Sequence, residues 1–158
     1  MELNPARLAT LKAAILAETD ATLVNRRNRR DTGLIAAWYA GASSVVVWKP
    51  SVSKDDVLER CAGDIDALTA ARKTTLSILL TGDTVACNRP AVRNAFTSLF
   101  PVGDETTTGA KLIALFQRFA NRAEAVFATG GAGTAIDPHR LVVEGSPTNE
   151  NIVDALNS

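Results

Sequence analysis

The sequence has few of the residues from which catalytic and metal sites are usually built. It contains one histidine, His139, and two cysteines, Cys61 and Cys87, in 158 residues. Neither cysteine belongs to a Cys-x-x-Cys pair, and two cysteines do not make a disulfide framework. A single imidazole leaves too few soft ligands for a zinc site at ordinary spacing. We therefore expect two buried thiols, no metal and no cofactor.

A residue set for nucleophilic or acid–base catalysis is also missing. A Ser-His-Asp or Cys-His arrangement would have to use His139, which lies between Pro138 and Arg140 in a predicted loop. The acidic pairs at 55–56 and at 64 and 66 fall at predicted helix N-termini, where the helix dipole favours carboxylates. The sequence predicts that the protein is not an enzyme.

Long apolar runs are absent too, so no segment approaches the length of a membrane-spanning helix. The start, Met1-Glu-Leu-Asn-Pro5, lacks the basic-then-apolar layout of a signal peptide. The composition, 46% hydrophobic and 22% charged, is typical of a globular domain. We expect a single domain in a cytoplasm-like compartment, with no membrane partner.

Net charge is zero, yet the charges are unevenly spread along the chain. Residues 1–30 hold six basic and three acidic groups, and residues 101–158 hold four basic and seven acidic groups. A chain with a positive front and a negative back can attract copies of itself head to tail, and such contacts close into rings when the rotation permits. Simple solvation of both ends is the alternative.

Capping residues and apolar spacing predict a mainly α fold: a small helical bundle with a short β element (a strand or hairpin) and a flexible C-terminal arm. The predicted strands lie at 45–48 and 141–144. They would pair in a small sheet, or remain as unpaired edge strands that can pair with neighbouring subunits. The predicted helices cover residues 5–19, 21–25, 34–40, 54–63, 64–81, 90–100, 111–128 and 149–156, and the helices over 64–81 and 111–128 are the longest.

The character of the sequence changes after residue 128. Thr129-Gly-Gly-Ala-Gly-Thr134 cannot continue a helix, and its order of elements fits neither a Walker loop nor a dinucleotide fold. We interpret it as a hinge. The predicted division is therefore a helical bundle domain over 1–128 and a glycine hinge with a C-terminal strand-helix arm over 129–158.

Two groups of residues are candidates for partner contacts. Guanidinium groups pair with phosphates and carboxylates, so an arginine run suits DNA or an acidic protein surface, although a solvated basic face would look the same. Trp and Tyr are enriched at interface hot spots but also build cores. The candidate interface residues are Arg26, Arg27, Arg29, Arg30, Trp38, Tyr39, Trp48, Leu141, Val142 and Val143.

Several stretches together resemble virion proteins of tailed bacteriophages, most closely the head–tail connector (adaptor or neck) proteins. The stretches that carry the resemblance are Ile35-Ala-Ala-Trp-Tyr39, Val46-Val-Trp-Lys-Pro-Ser-Val52, Asn121-Arg-Ala-Glu-Ala-Val-Phe-Ala-Thr-Gly-Gly-Ala-Gly-Thr134, and Leu141-Val-Val-Glu-Gly145 followed by the 152–156 helix. The resemblance spans most of the chain but carries no catalytic signature.

The resemblance implies a small helical adaptor that assembles as a ring of about twelve subunits on the portal. Its partners would be other copies of itself, the portal protein, a tail or stopper protein, and genomic DNA in the channel. It would be located in the virion neck and assembled in the host cytoplasm. The chain departs from the pattern in lacking a strongly acidic helix that would line the channel.

Other roles stay open. The chain could serve as a tail terminator, a stopper or a capsid-decorating protein, which differ from an adaptor in symmetry or attachment. A small DNA-binding module using Arg26–Arg30 is a further alternative, although a neutral domain is unusual for a free-standing DNA binder. On the adaptor reading, charge reversal at all four arginines is expected to abolish ring assembly and leave the monomer helical.

Overall fold

A computed structural model describes all 158 residues and confirms a mainly α fold with a small β component. Its helices are α1 (Pro5–Ala17), α2 (Ala21–Asn28), α3 (Thr32–Ala40), α4 (Lys54–Cys61), α5 (Ala70–Leu79), α6 (Pro90–Leu99), α7 (Thr108–Leu115), α8 (Arg122–Phe127) and α9 (Asn149–Asn157). Its strands are β1 (Ala42–Trp48), β2 (Val52–Ser53), β3 (Thr84–Val85) and β4 (Gln117–Asn121).

The chain divides into two compact units, and the division differs from the predicted one at residue 128. Unit 1 combines Met1–Val47 with Phe119–Ser158, and unit 2 is Trp48–Arg118. Unit 2 is thus inserted into unit 1 in sequence. The segment predicted as a separate arm belongs to the same unit as the N-terminal helices because its apolar side chains pack in their core.

The core of unit 1 is built by α1, α2, α3, α8 and α9. Its fully buried side chains come from both ends of the chain: Leu11, Ile15, Leu23, Ile35, Ala123, Ile152 and Ala155. The C-terminal helix α9 contributes two of them, so it is packed rather than free. The expectation of a flexible C-terminal arm is corrected here, since burial of Ile152 and Ala155 removes apolar surface from water.

Unit 2 has a separate core around two phenylalanines. Phe96 of α6 and Phe116 meet edge to face with ring centroids 5.4 Å apart. Val57, Cys61, Val85, Cys87 and Leu112 surround them, each almost completely buried. Strands β2 and β3 pair antiparallel in the register Val52 with Val85 and Ser53 with Thr84, which holds the start of α4 beside that core.

Side-chain caps set most helix starts where the sequence predicts them. Asn4, Asp20, Asp31, Ser53 and Thr148 each accept a hydrogen bond from a backbone N–H in the first turn of the helix that follows. Such caps satisfy donors that have no partner within the helix. The predicted starts of α1, α3, α4 and α9 are therefore confirmed within a residue or two.

The predicted helix over 64–81 is wrong in its first third. Residues 62–68 form turns, and Thr69 caps a shorter helix, α5, by accepting a hydrogen bond from the Arg72 N–H. A Thr side chain that binds a nearby backbone amide offers the chain an alternative to continuing the preceding structure. The apolar spacing runs across this break and does not reveal it.

The predicted helix over 111–128 is two helices separated by a strand. Helix α7 ends at Leu115, β4 pairs with β1 in a two-stranded sheet, and α8 begins at Arg122. Asn121 and Glu124 form a reciprocal capping box that starts α8. Strand pairing is a tertiary interaction that overrides the local helical pattern of these residues.

The predicted strand over 141–144 is not formed. The backbone of the C-terminal segment instead meets β1 earlier in the chain: Val46 N–H donates to the Gly133 carbonyl at 2.8 Å, and His139 N–H donates to the Val46 carbonyl at 3.0 Å. The predicted pairing of residues 141–144 with the first strand therefore does not occur, and β1 is contacted instead by residues 133 and 139.

None of the nine helices has both the length and the apolar content needed to cross a lipid bilayer.

Candidate functional site

The four arginines of the 26–30 run do not act as one surface. The Arg27 guanidinium donates to the carbonyls of Ile15 and Leu16, at 3.1 and 2.8 Å. These carbonyls lie in the last turn of α1, where a cation is favoured by the helix dipole and satisfies acceptors without helical partners. Arg27 therefore joins α2 to the end of α1 and is used within the fold.

Arg26 also has an internal partner. Its Nη1 donates to the Leu34 carbonyl at 3.0 Å, and its guanidinium lies 6.0 Å from the centre of the Trp38 ring. Arg29 and Arg30 are exposed at the end of α2. Arg30 has a φ of 54°, a left-handed conformation that ends the helix. Within the run, Arg29 and Arg30 are the two arginines that are exposed to solvent.

Trp38 is held by a second guanidinium. The Arg122 side chain lies 4.1 Å from the ring centre, and its Nη1 donates to the Trp38 carbonyl at 3.0 Å. A β-carbon at Gly41 would lie 2.7 Å from that Nη1, so any side chain there would require the Arg122 guanidinium to shift. The Trp38 Nε1 is buried with no hydrogen-bond partner. Trp38 is half-buried and packs against the core of unit 1.

Tyr39 points into the fold rather than toward a partner. Its side chain is 3% exposed, and it lines a cleft of about 520 Å³ together with Glu18, Ser43, Ser44 and Arg122. Burial, with the charge of Glu18 as a smaller cause, raises the pKa of Tyr39 to about 12. The phenol is therefore neutral at any physiological pH.

Trp48, at the start of unit 2, stacks against an arginine that sequence reasoning did not single out. The Arg93 guanidinium lies 4.0 Å from the Trp48 ring centre and donates to the Cys87 carbonyl at 2.9 Å. Desolvation lowers the pKa of Arg93 from its usual value. Trp48 is half-buried, so it combines a packing role with a partly exposed face.

The three apolar residues predicted as a contact strand have separate environments. Val143 is buried in the unit 1 core, Val142 is 47% exposed and Leu141 is half-buried. With no strand at 141–144 they do not present a common apolar edge.

The glycine segment forms a closed loop rather than a hinge. Thr129 and Arg140 exchange two backbone hydrogen bonds, at 3.0 and 2.8 Å, which close residues 129–140 into a loop that we call the 129–140 loop. The Asp137 carbonyl inside it accepts from the N–H groups of Ala132, Gly133 and Thr134. His139 Nδ1 lies 2.5 Å from the Gly130 carbonyl oxygen.

Glycines make this closure possible. Gly130, Gly131 and Gly133 all have φ between 63° and 74°, a region that favours glycine. At Gly131 a β-carbon would approach the Pro138 carbonyl oxygen to 2.6 Å. Ile136 directly precedes Asp137, whose carbonyl accepts the three hydrogen bonds, and its side chain is 98% exposed. The fixed loop backbone therefore presents one isoleucine to solvent.

Two surface clefts of unit 2 contain both apolar and charged side chains. The first, which we call the Leu76 cleft, has a volume of about 400 Å³ and is lined by Lys54, Leu58, Ile65, Lys73, Leu76, Ser77 and Leu80. The second, of about 580 Å³, contains three cationic side chains, Arg60, Arg72 and Lys111, together with Asp64, whose carboxylate accepts from the Thr108 hydroxyl at 2.5 Å.

No group of three or more His, Cys, Asp or Glu side chains is arranged to hold a metal ion. Cys61 and Cys87 are both buried, and burial raises the pKa of each thiol. Their sulfurs lie within hydrogen-bonding distance of the Val57 and Lys49 carbonyls, at 3.1 and 3.0 Å. This agrees with the prediction of two small buried side chains.

Sequence reasoning missed Ile136, Arg93 and Arg122. Ile136 had a signal, since it is a lone large apolar residue among Gly, Thr, Asp and Pro. The two arginines had none, because their partners Trp48 and Trp38 lie 45 and 84 residues away in the chain. No family model matches the chain, and no curated protein or solved structure matches it.

Proposed function

We propose that this protein is a structural component of the tailed-bacteriophage virion, a head–tail connector adaptor. It forms a ring under the portal in the virion neck and joins the capsid to the tail around the DNA channel. Its partners are further copies of itself, the portal protein and a tail or stopper protein. The resemblance of residues 35–39, 46–52, 121–134 and 141–145, with the 152–156 helix, to such proteins motivates the proposal.

The structural observation that supports it best is the 129–140 loop. A loop held by backbone hydrogen bonds loses little conformational entropy when it binds, so a fully exposed isoleucine on it is well suited to anchor a protein contact. Scattered exposed apolar residues are ordinary on protein surfaces. Ile136 differs from them in being almost completely exposed on a backbone with fixed hydrogen bonds.

The charges of the two ends of the chain do not lie in separate units. Residues 1–30, the positive end, and residues 119–158, the larger part of the negative end, belong to the same unit, in which eight basic and nine acidic residues nearly cancel. Attraction between a positive front and a negative back therefore does not follow from the chain order. Assembly would depend on local contacts, each weak, that act together in a ring through avidity.

The proposal is tested by native mass spectrometry of the purified chain, alone and mixed with the portal protein of its own virus. A complex with one ring of this chain per portal is the expected result. A six-fold ring without the portal would favour a terminator or stopper. A chain that stays monomeric and ignores the portal would overturn the proposal and leave capsid decoration as the structural alternative.

A stand-alone DNA-binding module is the second candidate, and the arginine contacts weaken it. Arg26 and Arg27 are engaged within unit 1, which leaves Arg29 and Arg30 for phosphates. Such a module would bind duplex DNA in isolation, with an affinity that falls steeply as salt rises. Titration of the chain with duplex DNA at two salt concentrations separates this candidate from the adaptor.

A further inference from the structure

We propose that copies of this chain join head to tail by inserting Ile136 of one copy into the Leu76 cleft of the next. This inference rests on the proposed function, because it names the surfaces through which the ring would form. The occupant of the cleft is thus a second copy of the chain, and the contact is heterologous: the loop and the cleft are different surfaces.

The cleft has the chemistry to receive an isoleucine. Four of its seven lining residues are aliphatic, and Leu76 and Leu80, which are 4% and 7% exposed, are joined to the core of unit 2. Its volume of about 400 Å³ leaves room for a branched side chain and its flanking backbone. An apolar anchor in a pocket of this kind is the usual centre of an interface hot spot.

Charge complementarity argues for this pairing of loop and cleft. The residue next to Ile136 is Asp137, which is exposed and whose carboxylate makes no ion pair. Lysines 54 and 73 line the cleft. Lys73 has only an exposed contact with Asp66, at 3.7 Å, and a pair of this kind contributes little. An aspartate that follows the inserted isoleucine would meet two ammonium groups at the rim.

Backbone hydrogen bonds hold the loop in shape before such a contact forms. Three amides bind the Asp137 carbonyl, and the Thr129–Arg140 bridge closes the base. The isoleucine is therefore presented in one backbone arrangement before binding.

The test uses two full-length variants that disable opposite sides of the contact. Ile136→Glu removes the anchor and keeps the cleft. Lys54→Glu combined with Lys73→Glu reverses the charge at the rim of the cleft and keeps the Ile136 anchor. All three positions are exposed or half-buried, so both variants are expected to fold, which circular dichroism checks. Val102→Glu, at an apolar residue that is 52% exposed elsewhere in unit 2, is the matched control.

Self-association is measured by sedimentation velocity over a concentration series, and mixtures are measured by native mass spectrometry. Each variant alone is expected to associate at least about tenfold more weakly than the natural chain, as for loss of a hot-spot residue. The Val102→Glu chain is expected to associate normally. An equimolar mixture of the two variants is expected to give a 1:1 dimer that grows no further, because its remaining loop and cleft are both disabled.

A charge swap gives a second readout. Asp137→Lys alone is expected to weaken association, and the same change combined with the Lys54→Glu and Lys73→Glu pair is expected to restore it. Variants that associate like the natural chain, or a mixture that stays monomeric, would overturn the inference.

The two proposals fail in distinguishable ways. If Ile136→Glu still forms the portal-bound ring, the contact is wrong and the adaptor function stands. If the mixed variants form the 1:1 dimer but the natural chain ignores the portal, the contact stands and the adaptor function is wrong.

Discussion

Arg26 and Arg27 are chain neighbours of Arg29 and Arg30, but their hydrogen bonds give them a different role. Arg27 binds two carbonyls at the end of α1, and Arg26 binds one in α3. Reversal of all four charges would therefore remove internal hydrogen bonds together with surface charge. That variant is therefore expected to lose stability as well as surface charge, so a loss of assembly in it would not by itself assign the arginines to an interface. A test of the surface role must be restricted to Arg29 and Arg30.

Replacing Arg27 with alanine is expected to lower the free energy of unfolding by about 1–2 kcal/mol, because two carbonyls lose a charged donor. Arg29→Ala, at an exposed neighbour with no side-chain hydrogen bond to lose, is the matched control and should change it by less than about 0.5 kcal/mol. Urea titration followed by circular dichroism measures both. Equal effects in the two variants would contradict the structural role of Arg27.

Tyr39 is the only tyrosine in the chain, so its ionisation can be followed directly by the near-ultraviolet absorbance of tyrosinate. We expect a midpoint near pH 12 in the folded protein and about 10 in denaturant. The folded pKa is the higher one. The stability contributed by the neutral phenol is therefore complete below pH 10 and is lost as the pH rises from there toward 12.

Tyr39→Phe is the control for this pH dependence. It removes the ionisable group, so its stability should fall less steeply between pH 10 and 12 than that of the natural chain. A folded-state midpoint at the ordinary value of tyrosine would contradict the burial of this side chain.

Short elements in this fold begin and end through contacts that the local sequence only partly encodes. The starts of α1, α3, α4 and α9 were predictable because an Asn, Asp, Ser or Thr cap lies one residue before each helix. The break in the helix at residues 116–121 was not predictable, because an unbroken apolar spacing favours one helix there. Pairing of β4 with β1, 69 or more residues earlier, decides against it.

The arrangement of the candidate site was also only partly predictable from the sequence. Four arginines in five residues reveal a charge cluster but not which guanidinium finds a carbonyl in another helix. Glycines in a row fit both a flexible linker and a tight loop, because positive φ serves either. Two sets of hydrogen bonds show that the segment is a tight loop: those between Thr129 and Arg140, and those that the Asp137 carbonyl accepts. They join residues that show no pattern in the sequence.

The 129–140 loop offers a matched pair of glycines for testing its closure. Gly130→Ala is expected to cost about 1–2 kcal/mol, the penalty of a left-handed backbone, since no atom lies near its added methyl group. Gly131→Ala has the same backbone penalty and places a methyl group 2.6 Å from the Pro138 oxygen. Its cost should be clearly larger.

The readout for the glycine pair is hydrogen exchange at the Arg140 amide, which donates across the base of the loop, together with urea titration. Exchange should be faster in Gly131→Ala than in Gly130→Ala. If both variants exchange like the natural chain, the glycine segment is flexible, as its sequence alone indicates.

The molecule consists of two units with separate cores. Each unit contains one tryptophan, Trp38 in unit 1 and Trp48 in unit 2. Variants that keep a single tryptophan therefore report each unit by fluorescence. This allows the independence of the two cores to be measured in the intact chain.

Phe96→Ala is expected to destabilise unit 2 by about 3–5 kcal/mol, because it leaves a cavity beside Phe116. In the Trp38→Phe background, the Trp48 signal should show the full shift of the urea midpoint. In the Trp48→Phe background, the Trp38 signal should shift much less. Equal shifts of both signals would mean that the two cores unfold as one.

The division of unit 1 between the two ends of the chain has a consequence for biosynthesis. Leu11 and Ile15 emerge from the ribosome before unit 2, whereas their core partners Ile152 and Ala155 emerge after it. Unit 2 is synthesised as one uninterrupted segment between them. During translation, unit 2 therefore has all its core residues available before unit 1 does, although the N-terminal segment of unit 1 is synthesised first.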